Sequence, residues 1–197
     1  MVLYMKNKHT FQHDFETVTL AYFNRYPNPY SKHVKSIDTV EKYIDLEGKL
    51  HQTKLIRKCG HLPNWVRPFL GTISSSWIVE KTVVDPISRT MQTYNCNLDY
   101  TKLLTVEEST FYKYDFEKGV THSTATVSFR SRFKRFGALN LKDKIEDWSK
   151  TRFTEHSQGS RMGLKIVMER VRQKMADRLK QSQEQLKQVQ QVRQCNA

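Results

Sequence analysis

Cations continue apolar stripes at three places in this sequence. In "DFETVTLAYFNR", Phe15, Val18 and Tyr22 fall at i, i+3 and i+7 of a helix opened by Asp14, and Arg25 follows on the same face. In "LHQTKLIRK" a period of two puts Leu50, Gln52, Lys54, Ile56 and Lys58 on one face of a strand. In "LKDKIEDWSKTRFTEH", Leu141, Ile145 and Trp148 lead at helical spacing to Arg152 and then His156. Each case has an ordinary explanation. Arg25 can bond the last carbonyls of its helix. Lys54 and Lys58 can mark a solvent face, and Arg152 can reach water from a core edge. Taken together they point elsewhere, because an unpaired buried charge costs several kcal/mol. An amphiphile with an anionic head and an apolar body would meet all of these stripes.

Other chemistry is poorly represented. Seven histidines show no metal-ligand spacing, and Cys59, Cys96 and Cys195 form no CxxC pair. Ser74, Ser75 and Ser76 lack a GxSxG setting, and no phosphate-cradling glycine motif occurs. No nucleophile stands beside a base, so the sequence reads as a non-enzyme with no cofactor and no metal. The net charge of +13 favours an anionic partner without choosing among nucleic acid, membrane and ligand. No apolar run reaches the ~18 residues of a membrane span. "MVLYMKNKHTF" resembles neither a secretory signal nor an Arg-rich presequence, and composition alone fits the cytosol.

The elements that must position these residues follow from periodicity and turn chemistry. "KHTFQ" reads as a first strand and the helix starts near Asp14. Hairpins turn at Glu47-Gly48, at Asp85-Pro86 and near Lys118-Gly119. "LPNWVRPFLG" is a short apolar piece broken by Pro63 and Pro68. From about Leu139 the pattern is helical. The layout is α+β: six or seven antiparallel strands, with helices on one face. From Gln173 the chain is Gln-rich with thin apolar spacing. It reads as a solvated helical tail, with a weak coiled-coil seam as the alternative.

"AYFNRYPNPYSKHVKSIDT", "LPNWVRPFLG", "NLDYTKLLTVEE" and "KIEDWSKTRF" with "SRMG" resemble the PRELI-like (slowmo-like) family. Within that family the motifs are most similar to those of the fungal members that transfer phosphatidic acid. The resemblance runs from residue 1 to about 172, which implies a lipid-transfer domain over 1–172 and a polar helical tail over 173–197. It implies a curved antiparallel sheet closed by helices around a lipid cavity. It also implies residence in the mitochondrial intermembrane space, a small twin Cys-x9-Cys helical partner, contact with anionic membranes, and carriage of phosphatidic acid between outer and inner membranes for cardiolipin synthesis.

Residue by residue, the resemblance places Arg25 deep in the cavity on the lipid phosphate, with His33 lining the pocket. Lys58 keeps a basic entrance position, and Lys54 stands there in place of an arginine, without its planar fork. His61 replaces a lysine at the mouth. Trp148 lies on the long helix, where Arg152 and His156 stand for a lysine and an asparagine, and Gly159 takes the place of a further lysine. Leu62, Pro63, Trp65, Val66, Pro68, Phe69, Leu70 and Gly71 match the lid.

The physics of a lipid cargo is consistent with these assignments. A diacyl lipid hides on the order of 30 methylenes from water, worth about 24 kcal/mol at ~0.8 per CH₂. Only an apolar cavity offsets that, and arginine suits a phosphate because its donors form a planar fork. Three alternatives stay open: a phosphatidylserine-carrying paralogue, an adaptor that moves no lipid, and a basic nucleic-acid-binding module. "FRSRFKRF" (129–136), with aromatics between cations, motivates the last, although no RRM, KH or helix-turn-helix signature accompanies it.

Overall fold

The computed structural model describes residues 2–60, 75–102, 104–131 and 141–195. Strand β1 (Val2–Phe11) is followed by helix α1 (Phe15–Phe23) and a short 3-10 turn (Pro29–Ser31). Six strands come next: β2 (Val34–Ile44), β3 (Leu50–Cys59), β4 (Ser75–Asp85), β5 (Thr90–Asn97), β6 (Leu104–Asp115) and β7 (Val120–Ser131). Helix α2 (Leu141–Cys195) ends the described chain. The strands form one seven-stranded antiparallel sheet in the order β1-β7-β6-β5-β4-β3-β2. Consecutive strands from β2 to β7 are neighbours, so only the step from β1 to β2 spans the sheet, and α1 lies within it.

Local chemistry explains the turns. Asp45 accepts from the amides of Glu47 and Lys49, Asp85 from Ile87 and Ser88, and Asp115 from Glu117 and Lys118. Each aspartate thus satisfies the two amides that the reversing strand would leave open. Gly48 and Gly119 supply the positive φ, at 79° and 66°. Asp14 caps α1 through its carboxylate to the Thr17 amide at 2.7 Å.

The core sits at one end of the sheet. Phe15, Val18, Ala21 and Tyr22 of α1 meet Phe11, Val84, Met91 and Tyr112 of the sheet and Leu164, Val167 and Met168 of α2. Toward the other end, Phe153 of α2 packs on Val127 and Phe129 of β7. Past Val171, every described side chain of α2 is exposed, and the helix runs without a break across residue 172.

Directly paired residues share a face, so the register gives the inner surface as rows. Leu50, Val84, Met91, Tyr112, Ser123 and His9 form one row, with the core against it. Gln52, Thr82, Thr93, Thr110, Ala125 and Asn7 form the next. The third row is Lys54, Glu80, Asn95, Glu108, Val127 and Met5. A charged row therefore crosses the middle of the inner face, next to a row rich in threonine.

Candidate functional site

Beyond the threonine row the inner face opens into a cavity of about 590 Å³. Its floor is sheet, including Val106, Val127 and Phe129, and the N-terminal part of α2 faces it with Trp148, Arg152 and Phe153. The segment between α1 and β2 supplies Arg25, Tyr26 and His33. Six of the residues singled out from the sequence, Arg25, His33, Lys58, Trp148, Arg152 and Gly159, thus line one cavity. Lys54 does not. It lies two rows from Lys58 along β3, on the side toward the core, and its ammonium is 5.4 Å from the centre of the Phe23 ring. His61 and the lid residues Leu62, Pro63, Trp65, Val66, Pro68, Phe69, Leu70 and Gly71 lie outside the described residues, as does the side chain of His156.

Arg25 is buried, with 9% of its surface exposed. It does not continue the stripe of α1. The helix ends at Phe23 with Asn24 as its C-cap, and the side chain of Arg25 folds back under the last turn. One guanidinium nitrogen donates to the Tyr22 carbonyl at 2.8 Å, so the capping role is filled. The other end pairs with Glu80. The guanidinium carbon also lies 3.9 Å from the Tyr22 ring centre and 4.6 Å from that of Tyr26. Burial works against its charge, but Tyr22, Glu80 and Tyr26 together more than offset this and hold it protonated. Arg25 therefore already has an internal counterion before any ligand arrives.

Glu80 was missed from the sequence, although the signal was present. Along "SSWIVEKTVV" it shares a face with Ile78, Thr82 and Val84, an anion on an apolar stripe, just as Lys54 is a cation on one. The cavity wall is also less cationic than the stripes imply. Arg25, Lys58 and Arg152 face it, and so do Asp99, Glu108 and Glu155. Asp99 accepts from the Trp77 amide at 2.6 Å, and Glu155 lies 3.7 Å from Arg152. Burial pushes the His33 imidazole below its ordinary pKa, and Lys58, Arg152 and Lys35 push it the same way. The imidazole is therefore uncharged at neutral pH.

Asn28 fixes the approach of the 25–31 segment to α2. Its amide donates to the Arg25 carbonyl at 2.6 Å and to Ser31 Oγ at 3.0 Å, and its oxygen accepts from the Tyr30 amide at 2.9 Å. Gly163 of α2 leaves room for it. A Cβ there would lie 2.7 Å from the Asn28 side-chain oxygen. The "FRSRFKRF" stretch divides at its start: Phe129 is buried on the inner face, Arg130 pairs with Glu107 at 2.6 Å, and residues 132–136 lie outside the described residues.

The sequence profile of the PRELI-like family matches residues 16–174. Over 171 residues the chain is 47% identical to "Protein UPS1, mitochondrial" of Saccharomyces cerevisiae, covering 87% of this chain and 95% of the relative. It is 35% identical over 155 residues to the ups1 homolog of Schizosaccharomyces pombe, covering 79% and 88%. With PRELI domain-containing protein 1, mitochondrial, of Gallus gallus it shares 30% identity over 159 residues, covering 80% and 72%. Among solved structures, a Thermus thermophilus protein superposes with a TM-score of 0.55 at 11% identity, covering 86% of this chain and 99% of its own. The Zhui aromatase/cyclase of a Streptomyces species gives 0.53 at 12%, covering 87% and 96%. These two likenesses show a shared α+β fold.

Proposed function

The chain belongs to the PRELI-like family, and on that premise we propose that it is a mitochondrial lipid carrier whose cargo is phosphatidic acid. One observation carries the reading: the sheet and α2 enclose a cavity of about 590 Å³ whose apolar wall meets Arg25, His33, Lys58 and Arg152. That volume falls within the ~300–1,000 Å³ of ordinary ligand sites. The acyl chains lie against Val106, Val127, Phe129, Trp148 and Phe153, and the phosphate meets Lys58 and the outward side of Arg25. A phosphomonoester brings roughly −1.5 charge and three acceptor oxygens. Each charge-assisted bond to it contributes about 1.5–3 kcal/mol.

The carrier acts in the intermembrane space, moving its cargo from outer to inner membrane to supply cardiolipin synthesis, and it performs no catalysis. A small twin Cys-x9-Cys helical protein stabilises it. Its basic surface docks on anionic membranes, where a well-placed cation is worth about 1 kcal/mol. No helix among the described residues is long and apolar enough to cross a membrane.

The test is transfer of fluorescent phosphatidic acid between liposomes by the full chain co-expressed with the small partner. Lys58→Gln is the informative variant, because no described ion pair is broken by it. Loss of one phosphate bond predicts roughly a 10- to 150-fold weaker lipid complex. Transfer by the wild type with that loss in a folded Lys58→Gln supports the reading. Absence of transfer by the wild type points to another cargo or to an adaptor. Salt-sensitive, sequence-selective RNA or DNA binding without transfer would favour the nucleic-acid alternative.

A further inference from the structure

The charged row across the sheet holds a second carboxylate with a different setting from Glu80. Glu108 lies opposite Asn95 on one side and Val127 on the other, and it faces the cavity. Glu80 is paired with Arg25. Among the described residues, no hydrogen bond or ion pair reaches the Glu108 carboxylate. Lys58 faces the same space from β3 without closing a salt bridge to it. Among the described residues, the other charged or titratable groups on the wall are Arg25, Tyr26, Tyr30 and His33 from the segment after α1, Cys59 from β3, Asp99 and Tyr100 after β5, and Arg152 and Glu155 from α2. Among the described residues the lining thus holds three cations and three carboxylates beside an uncharged His33, a formal balance.

A phosphate entering between Arg25 and Lys58 upsets that balance. It brings a second anion next to the half-buried Glu108. Two such anions within hydrogen-bond distance do not both stay charged, and the pair binds one proton between them. We infer that Glu108 couples phosphate binding to one proton: as the head group settles beside Arg25 and Lys58, Glu108 and the phosphate together take up one proton from solvent and hold it in an O–H···O bond between a carboxylate oxygen and a phosphate oxygen. Nothing is released, and the complex gains the one charge that the bound phosphate requires. Burial already pushes the Glu108 carboxyl above its ordinary pKa. Lys58 and Arg25 pull it back, and Glu80 pushes it up again. The head group adds to the upward push. This inference rests on the carrier reading and makes Glu108 a specificity-determining residue for a head group that can share a proton with it.

The test is calorimetric titration of the full chain with short-chain phosphatidic acid, in pairs of buffers of different ionisation enthalpy, between about pH 6 and 8. The phosphate also titrates there, so the comparison is between wild type and Glu108→Gln, in which the phosphate and His33 are both present. The wild type is expected to take up more protons than the variant, by up to about one, and to lose affinity with rising pH up to about tenfold per unit more steeply. Equal proton counts in two proteins that both bind would overturn the Glu108 assignment and leave the carrier reading intact. Binding by neither would overturn phosphatidic acid as the cargo, and with it the Glu108 assignment.

Inorganic phosphate serves as the second probe. Affinity equal to the lipid's would mark a site for free phosphate instead, while a proton difference there would still support Glu108. Should Glu108→Gln fail to fold, the ¹³C-carboxyl resonance of Glu108 in the wild type decides. It moves toward the protonated form on lipid addition if the inference holds, and stays in place if it does not.

Discussion

At Arg25 two demands meet in one side chain. Its guanidinium caps the Tyr22 carbonyl, pairs with Glu80 and still borders the cavity. Removing one member of a buried pair strands the other, at a cost of about 3–5 kcal/mol. Arg25→Met and Glu80→Gln are therefore each expected to lower stability toward urea by about that much. The double variant should lose less than their sum, because neither charge is then left alone. Additive losses would show that the pair is not coupled. His33 makes a pH prediction. Its pKa is lowered in the fold, so below the ordinary ~6.5 the unfolded chain binds a proton that the folded chain refuses. The stabilisation is intact above that pH and is lost as the pH falls toward the folded value. His33→Gln should flatten the fall in unfolding free energy between about pH 7 and 5. An unchanged slope would assign that fall to other groups, His9 and His13 among them.

Helix α2 does two jobs along its length, and two glycines separate them. At Gly163 the helix closes on Asn28, which in turn holds the Arg25 carbonyl. At Gly159 an added Cβ meets nothing within 4 Å. Gly→Ala in a helix interior gains about 1 kcal/mol from backbone entropy alone. Overpacking against a fixed neighbour costs about 1–3 kcal/mol. Asn28 is held by three hydrogen bonds, so it yields poorly. Gly159→Ala is expected to raise stability by up to about 1 kcal/mol, and Gly163→Ala to lower it by up to about 2. The displaced 25–31 segment should also reduce lipid transfer in Gly163→Ala. Thermal melts of the two variants compare these effects directly, and equal gains would show that α2 and the Asn28 loop do not meet closely.

For the whole molecule, the body is held by α1, the sheet and α2 up to about Val171, and the described side chains beyond stand in water. Removing residues 173–197 is expected to change unfolding free energy by no more than about 0.5 kcal/mol, as for other exposed positions. A larger loss would show that the tail packs on the body. The net charge of +13 acts at this scale too, since it concerns association with anionic surfaces and not the fold.

Much of this arrangement was legible in the sequence. The aspartate turns, the Asp14 cap and the alternating strands are local, and their chemistry fits within a few residues. That locality makes the α+β class and the hairpin order independent of any one tertiary contact. Periodicity also singled out Arg25, Lys58 and Arg152, and the folded chain brings them to one cavity, although Arg25 arrives there from beyond the end of α1 and not along its stripe. What only the tertiary structure decided is which charges meet. Glu80 reaches Arg25 from 55 residues away, and Glu108 stands on the row of Lys54 and Glu80 through β5. Lys54 falls outside the cavity because its ammonium lies over the Phe23 ring, a contact that strand period alone does not contain. Periodicity gives a residue its face. Its electrostatic partner depends on register between strands and on where helices cross the sheet, and both are properties of the assembled fold.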